Sequence, residues 1–230
     1  MWNNKLKAIT FSFDDGVTQD KRLIDILNKY RLKGTFNLNS SLMGLKGELV
    51  RNGVTVSHNK INVKDAVKVY DGHEIACHTL THPNLTMLDQ ATITHQVERD
   101  REVLSDIFGY DVVGMAYPCG GVNHDDRVAE IIKNTTGIRY VRTITSTYNF
   151  DLQTNLYKFN PSVYYIENCL FDIAEKFLSE KATAPQLLYV WGHSYEADAG
   201  YISWEKFEDF CRTVSGQADV FYGTNKEVLL

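Results

Sequence analysis

The sequence predicts an α/β fold of parallel βα units gathered in a single sheet or barrel, and three observations predict it. Short apolar strand patterns alternate with amphipathic helical patterns seven or eight times over 230 residues. No linker interrupts that alternation, and polar clusters recur where the strand patterns end, as they do at the ligand-binding edge of parallel α/β folds. With 43% hydrophobic residues and a mean hydropathy of -0.28, the chain has enough apolar material for one sizeable core, so a single domain over residues 1–230 is expected.

Apolar residues alternate at Ala8 or Ile9, Phe11 and Phe13, which makes the first strand, and Asp15-Gly16 supplies the turn that ends it. Thr18 as N-cap and Asp20 in the first turn start a helix with Leu23, Ile24, Leu27 and Tyr30 on one face, finished before Gly34. GTFNLN then reads as the second strand. Residues 40–62 are polar, carry three glycines and lack a sustained period, which predicts a long loop or lid ahead of a short helix in VKDAVKVY. GHEIAC is a short strand. A long helix runs from Asp89 to Phe108, with Ile93, Val97, Leu104 and Phe108 on one face and Gly109 as its stop. A strand near 112–116, a helix near 126–133 and a strand near 139–142 lead into a weakly patterned stretch through Pro161. The helix NCLFDIAEKFLSE, the buried strand QLLYVWGHSYE, the amphipathic helix SWEKFEDFCRTV and the strand ADVFYGTN complete the chain.

A formal charge of -5 with scattered basic residues gives no electrostatic reason to bind nucleic acid. Cys77, Cys119, Cys169 and Cys211 form no C-x-x-C pair, which fits a reduced compartment and argues against a zinc ribbon. The opening MWNNKLKAITFSFDDG enters a strand without an apolar leader, so no membrane anchor is expected. The expected location is cytoplasmic for the chain as written, or secreted if a leader has been removed. No feature assigns an oligomeric state.

In HTLTH, residues 78–82, Pro83 biases His82 away from the helical region, so the two histidines sit on a turn after a strand. With one carboxylate they would form a facial His, His, Asp set with open positions for water; alone, the spacing reads more readily as a partly exposed pair at a helix approach. Asp14 and Asp15 are neighbours on an extended backbone and point apart, which suits two different jobs, metal ligation and proton acceptance. A solvated Asp-Asp-Gly turn is the alternative. His193, in VWGHSYE, ends a buried strand and reads alone as a hydrogen-bonded core residue. His58, His95 and His124 read as loop or helix-surface residues.

TFSFDDG, HTLTH, MAYPCGG and WGHSYE, in this order and at these strand ends, resemble the polysaccharide deacetylase family with the NodB-homology domain, over nearly the whole chain. Its T-F-D-D-G and H-[ST]-x-x-H motifs match residues 10–16, apart from one inserted residue, and residues 78–82. The resemblance implies a distorted (β/α) barrel of seven or eight mostly parallel strands, and hydrolysis of N-acetyl or O-acetyl groups on a carbohydrate. It implies one divalent metal, commonly zinc, with cobalt, nickel or manganese as alternatives. Carried over, Asp14 is the general base, Asp15, His78 and His82 are the metal ligands, and Thr79 stiffens the histidine turn. Cys119 offers its backbone N–H to the oxyanion, and His193 protonates the leaving group. Where the family's third motif carries an arginine that steadies the base, this chain has Ala116; Arg142, at the next strand end, is the candidate replacement. Asp151 and Glu196 are candidate partners for His193. Tyr117, Trp191 and Tyr195 are candidate substrate contacts, with Tyr148 as a further aromatic that could stack on a sugar ring. A non-sugar amide hydrolase and a catalytically weak carbohydrate-binding relative are the rival readings.

Overall fold

The structure, a computed structural model, describes residues 2–230. Its elements are β1 (Lys7–Asp14), α1 (Asp20–Lys29), β2 (Gly34–Leu38), β3 (Glu48–Arg51), β4 (Val54–Ser57), α2 (Val63–Val69), β5 (Glu74–Cys77), α3 (Gln90–Phe108), β6 (Gly114–Ala116), α4 (Asp126–Thr135), β7 (Tyr140–Arg142), β8 (Val163–Tyr164), α5 (Leu170–Ser179), β9 (Gln186–Gly192), α6 (Tyr195–Asp198), α7 (Trp204–Val214), β10 (Val220–Tyr222) and α8 (Asn225–Leu229). Eight strands form one sheet in the order β7-β6-β5-β2-β1-β9-β8, with β10 beside the first half of β1, and every pairing in it is parallel. The two ends of this order meet. Phe159 bridges Arg142 of β7, and four residues later Val163 pairs with Val190 of β9, so the segment through β8 joins both edges and closes a distorted barrel.

β1 explains the layering. Its alternation sends Phe11 and Phe13 outward, edge-on to Phe210 and Phe207 of α7 at 6.2 and 5.9 Å, into the apolar layer between sheet and helices. Burying each such ring contributes on the order of 1.5–3 kcal/mol. The intervening Thr10, Ser12 and Asp14 are also buried, and their side chains hydrogen-bond within the barrel: Thr10 to Asn225 of α8, Ser12 and Asp14 to Asn37 of β2. The same polar interior continues below, where Glu74 accepts hydrogen bonds from Thr35, Tyr140 and the N–H of Lys226. Gly114 faces Tyr140 so closely that a Cβ there would lie 2.0 Å from its hydroxyl. A half-solvated strand, the usual meaning of period-two alternation, is thus replaced by a strand buried on both sides.

Helix α3 begins and ends where its punctuation predicts: Asp89 caps the N–H of Thr92 at 2.8 Å, and Gly109 adopts φ 74°. Elsewhere the structure corrects the reading. Thr18 does not cap α1; its N–H donates to Asn59, and the carboxylate of Asp20 turns instead to Ser194 and Tyr70. The predicted loop at 40–62 contains the antiparallel hairpin β3–β4, whose stem bonds to the Val17 turn. Val50 and Val54 of this hairpin are exposed and only Leu49 and Val56 pack inward, one residue from each four-residue strand, which is too little to impress a period on its sequence. The weakly patterned stretch holds β8, too short for a periodic signal. The apolar run of β9 stops at Gly192, with α6 rather than strand following it, and α8 closes the chain.

Candidate functional site

The carboxyl ends of β1, β5, β7 and β9 meet at one mouth of the barrel, around a cavity of about 700 Å³. Asp14, the last residue of β1, is 2% exposed, and Arg142 Nη2 lies 2.5 Å from both of its carboxylate oxygens. Asn37 donates to Asp14 Oδ1 at 2.8 Å, and His193 Nε2 stands 3.9 Å from Oδ2. Burial alone would raise this carboxyl's pKa, but Arg142, His78 and His193 outweigh it and hold Asp14 ionised, below the ordinary range.

Arg142 reaches Asp14 from across the barrel, since β7 and β1 are not neighbours in the sheet. It is itself wholly buried, bonded also to Ser12 and to the Thr143 carbonyl, with its guanidinium 4.5 Å from the centre of the Trp191 ring. Its register partner on β6 is Ala116. An arginine displaced by one strand therefore sits at the same barrel level as one at position 116 would, and the small Ala116 leaves room for it.

Asp15 follows in the left-handed region at φ 80°, which turns its carboxylate away from that of Asp14. Among the described residues, Asp15, His78 and His82 form the one group of ligand atoms within 4.8 Å of one another. His78 directs Nδ1–H to the Ala116 carbonyl at 2.9 Å, which leaves Nε2 free to ligate. Its backbone N–H is held by Leu38 and by the buried Asp100 of α3. The turn to His82 passes through positive φ at Thr79 and at His82 itself, and the Thr79 hydroxyl accepts the His82 N–H at 3.1 Å. Burial lowers the pKa of both imidazoles, His82 to about 4, so both carry free lone pairs at neutral pH. One carboxylate and two neutral imidazoles are a donor set that suits zinc and neighbouring divalent metals.

Two residues that local patterns had left outside the site belong to it. His58 Nε2 lies 3.2 Å from Asp15 Oδ2, and Lys60 Nζ lies 2.7 Å from the Asp15 carbonyl and 3.2 Å from Oδ1. Burial would raise Asp15, but the His58 hydrogen bond and the Lys60 charge bring its pKa well below the ordinary value. Both residues come from the stretch just after β4. Their signal was the long insertion itself, since loops that long in compact domains usually carry function.

His193 follows β9, and its ring is held by Glu196: Nδ1 is 3.2 Å from Oε1, and the backbone N–H donates to Oε2 at 3.0 Å. The Tyr164 hydroxyl donates to Oε1, the oxygen that faces the His193 ring. Burial drives the Glu196 carboxyl well up and the His193 imidazole down, which favours the neutral form of each. Asp151 is not brought here: it bridges Gln186 at the opposite end of β9.

Cys119 lies at the rim with φ 69°, its sulfur 3.8 Å from His82 Nδ1, and its N–H makes no hydrogen bond among the described residues. Burial and then the charge of Asp15 raise its thiol pKa, so the sulfur stays protonated and is not poised as a nucleophile. Tyr117, Trp191 and Tyr195 all line the cavity, at 1%, 5% and 4% exposure. Tyr164 stacks on Trp191 at 4.2 Å and Tyr117 stacks on His124. These three aromatics form walls, and an open platform for a sugar ring is not among them. Tyr148, 48% exposed, is the one notable open ring among the aromatics singled out from the sequence.

Residues 3–141 match the family model described as polysaccharide deacetylase. The chain is 30% identical over 123 residues to a bifunctional xylanase/deacetylase of Pseudobutyrivibrio xylanivorans, covering 53% of this chain and 18% of that protein. It is 28% identical over 129 residues to the peptidoglycan-N-acetylglucosamine deacetylase PgdA of Listeria monocytogenes, covering 55% and 24%. The chain thus spans less than a quarter of the length of these curated relatives. Among solved structures, a mutant of a CE4 family pseudoenzyme from Bacillus anthracis, described as having restored enzymatic activity, superposes with a TM-score of 0.59 at 18% identity, covering 99% of this chain and 68% of that one. At that identity the likeness shows the fold.

Proposed function

Because the chain belongs to the polysaccharide deacetylase family, we propose that it is a metal-dependent hydrolase that removes N-acetyl or O-acetyl groups from a carbohydrate. One observation carries this reading: an ionised, arginine-held Asp14 stands beside the Asp15, His78, His82 group and faces His193 within a single cavity. Asp15, His78 and His82 would hold a divalent cation, with zinc the first candidate. When bound, that ion supplies Lewis acidity, making water more acidic and an acetyl carbonyl more electrophilic.

The chain's own residues do the rest. Asp14 takes the proton from the attacking water, and Arg142 with Asn37 keeps its carboxylate ionised and aimed. The free N–H of Cys119 donates to the developing oxyanion, a contact that does not depend on the side chain. His193, held through Nδ1 by Glu196, presents Nε2 to the cavity and delivers a proton to the departing sugar nitrogen or oxygen. Trp191 and Tyr164 close the wall against which the acetyl methyl packs.

A pseudoenzyme among the structural neighbours and the alanine at position 116 favour, as a second reading, a catalytically weak carbohydrate-binding relative. Arg142 weighs against it by restoring a guanidinium to the base. Acetate release from chitin, peptidoglycan and xylan oligomers, measured with and without added zinc, decides between them. Zinc-dependent acetate from any panel member supports the hydrolase, and binding without release supports the second reading.

A further inference from the structure

The insertion at residues 40–62, which carries the hairpin β3–β4, lines one side of the cavity through Leu42, Leu45 and Leu49 with Lys46, Arg51 and Lys60. It is fastened at both ends. Its stem bonds to the turn after β1, and at its tip Asn52 donates to the Ala199 carbonyl beyond α6, while Leu49 and Val56 pack with Tyr195 and Ala199. The hairpin therefore stands over the site as a fixed surface.

The charges of the cavity are unevenly matched. Asp14 is satisfied by Arg142 and Asp15 by Lys60, while Glu196 is engaged by Tyr164 and His193. Lys46 and Arg51 remain. Neither has a carboxylate within ion-pairing distance among the described residues, in contrast to Lys60 on the same wall, which pairs with Asp15. Both are exposed and line the cavity together with Tyr195 and Glu196, and Arg51 Nη1 donates to the Val50 carbonyl at 3.1 Å. Two unmatched cations held on one wall, next to leucines, form a complementary edge for an anionic group on the ligand.

We infer that the hairpin selects a carboxylate-bearing acetylated saccharide, with Lys46 and Arg51 binding a uronic-acid or lactyl carboxylate near the acetyl group that the site removes. This rests on the deacetylase reading for the acetyl group and on the hairpin alone for the carboxylate. The carboxylate stays in place through the reaction and serves for recognition.

The test uses the full zinc-loaded chain and two pairs of acetylated oligosaccharides, one with a uronic acid and one with a lactyl ether acid, each against its own methyl ester. kcat/KM for acetate release and binding by calorimetry are measured for the wild type, Lys46→Ala, Arg51→Ala and the double variant, at low and high salt. The acid is expected to be preferred over its ester in at least one pair. That ratio should fall roughly two- to fivefold for each cation removed, and should shrink with added salt. Equal kcat/KM for acid and ester in both pairs, or a ratio unmoved in the double variant, overturns the inference and leaves deacetylation standing. No acetate from any of the four compounds, with tighter binding of an acid that the double variant abolishes, overturns deacetylation and supports the inference. Melting curves of the variants show that a lost preference is not lost fold, both side chains being on the surface.

Discussion

Asp14 and Asp15 are adjacent in sequence and opposite in circumstance. One is locked to a buried arginine, and the other, turned by a positive φ, meets His58, Lys60 and His82. This separation predicts distinct variants. Asp14→Asn should keep its metal content by elemental analysis and lose at least roughly a hundredfold in turnover, because proton acceptance is removed while the ligand set is untouched. Near-normal turnover would sink the base assignment. His58→Ala leaves all three ligands in place but frees one oxygen of Asp15, so zinc affinity by chelator competition should weaken by about 10- to 100-fold, the usual cost of losing a hydrogen bond to a metal ligand. An unchanged affinity would reduce His58 to a wall residue. The paired aspartates and the H-x-x-x-H turn were legible in the sequence because each is local. His58 and Lys60 were not, since nothing in their own surroundings distinguishes them from loop residues.

At the scale of elements, the loops of the site are tied to helices by buried carboxylates. Asp20 of α1 accepts hydrogen bonds from Ser194, next to His193, at 2.6 Å and from Tyr70 at 2.8 Å. Burial is the main reason its pKa rises from 3.8 to about 7, against the lowering effect of these two bonds. The folded state then binds a proton that the unfolded chain has released, so this group's contribution to stability is complete below about pH 4 and is lost as pH rises through about 7. The slope is about 1.4 kcal/mol per pH unit within that window. Asp20→Asn should flatten the fall of stability between those limits in urea unfolding, and a variant with the wild-type slope would show that Asp20 ionises freely. Helix periods and caps were readable for α3 because its buried face repeats over five turns. The hairpin, β8 and α8 were not, being too short or too exposed to impose a pattern.

At the scale of the whole molecule, the barrel mouth gathers charge. Asp15 and His78 are both buried, and a cation bound there would stabilise the native chain alone. With metal at about a hundred times its Kd, the linkage amounts to about 2.7 kcal/mol. Stripping metal with a chelator should therefore lower Tm by roughly 5–10 °C for a chain of this size, and zinc should restore it. A Tm indifferent to chelator and zinc would remove the metal centre from the proposal.

The sequence by itself determined the α/β class, the order of most elements and the motifs at the strand ends, because each of these is written in residues within a few positions of one another. Arg142 was pointed to only by its place at a strand end. Its contact with Asp14 exists because strand order and register carry a side chain of β7 over Ala116 and across the barrel to β1. The tertiary structure alone decided that Thr10, Ser12 and Asp14 face a polar barrel interior rather than solvent, and that Glu196, not Asp151, meets His193. Period-two alternation states that a strand has two faces, and only the closing of the sheet determines what each face meets.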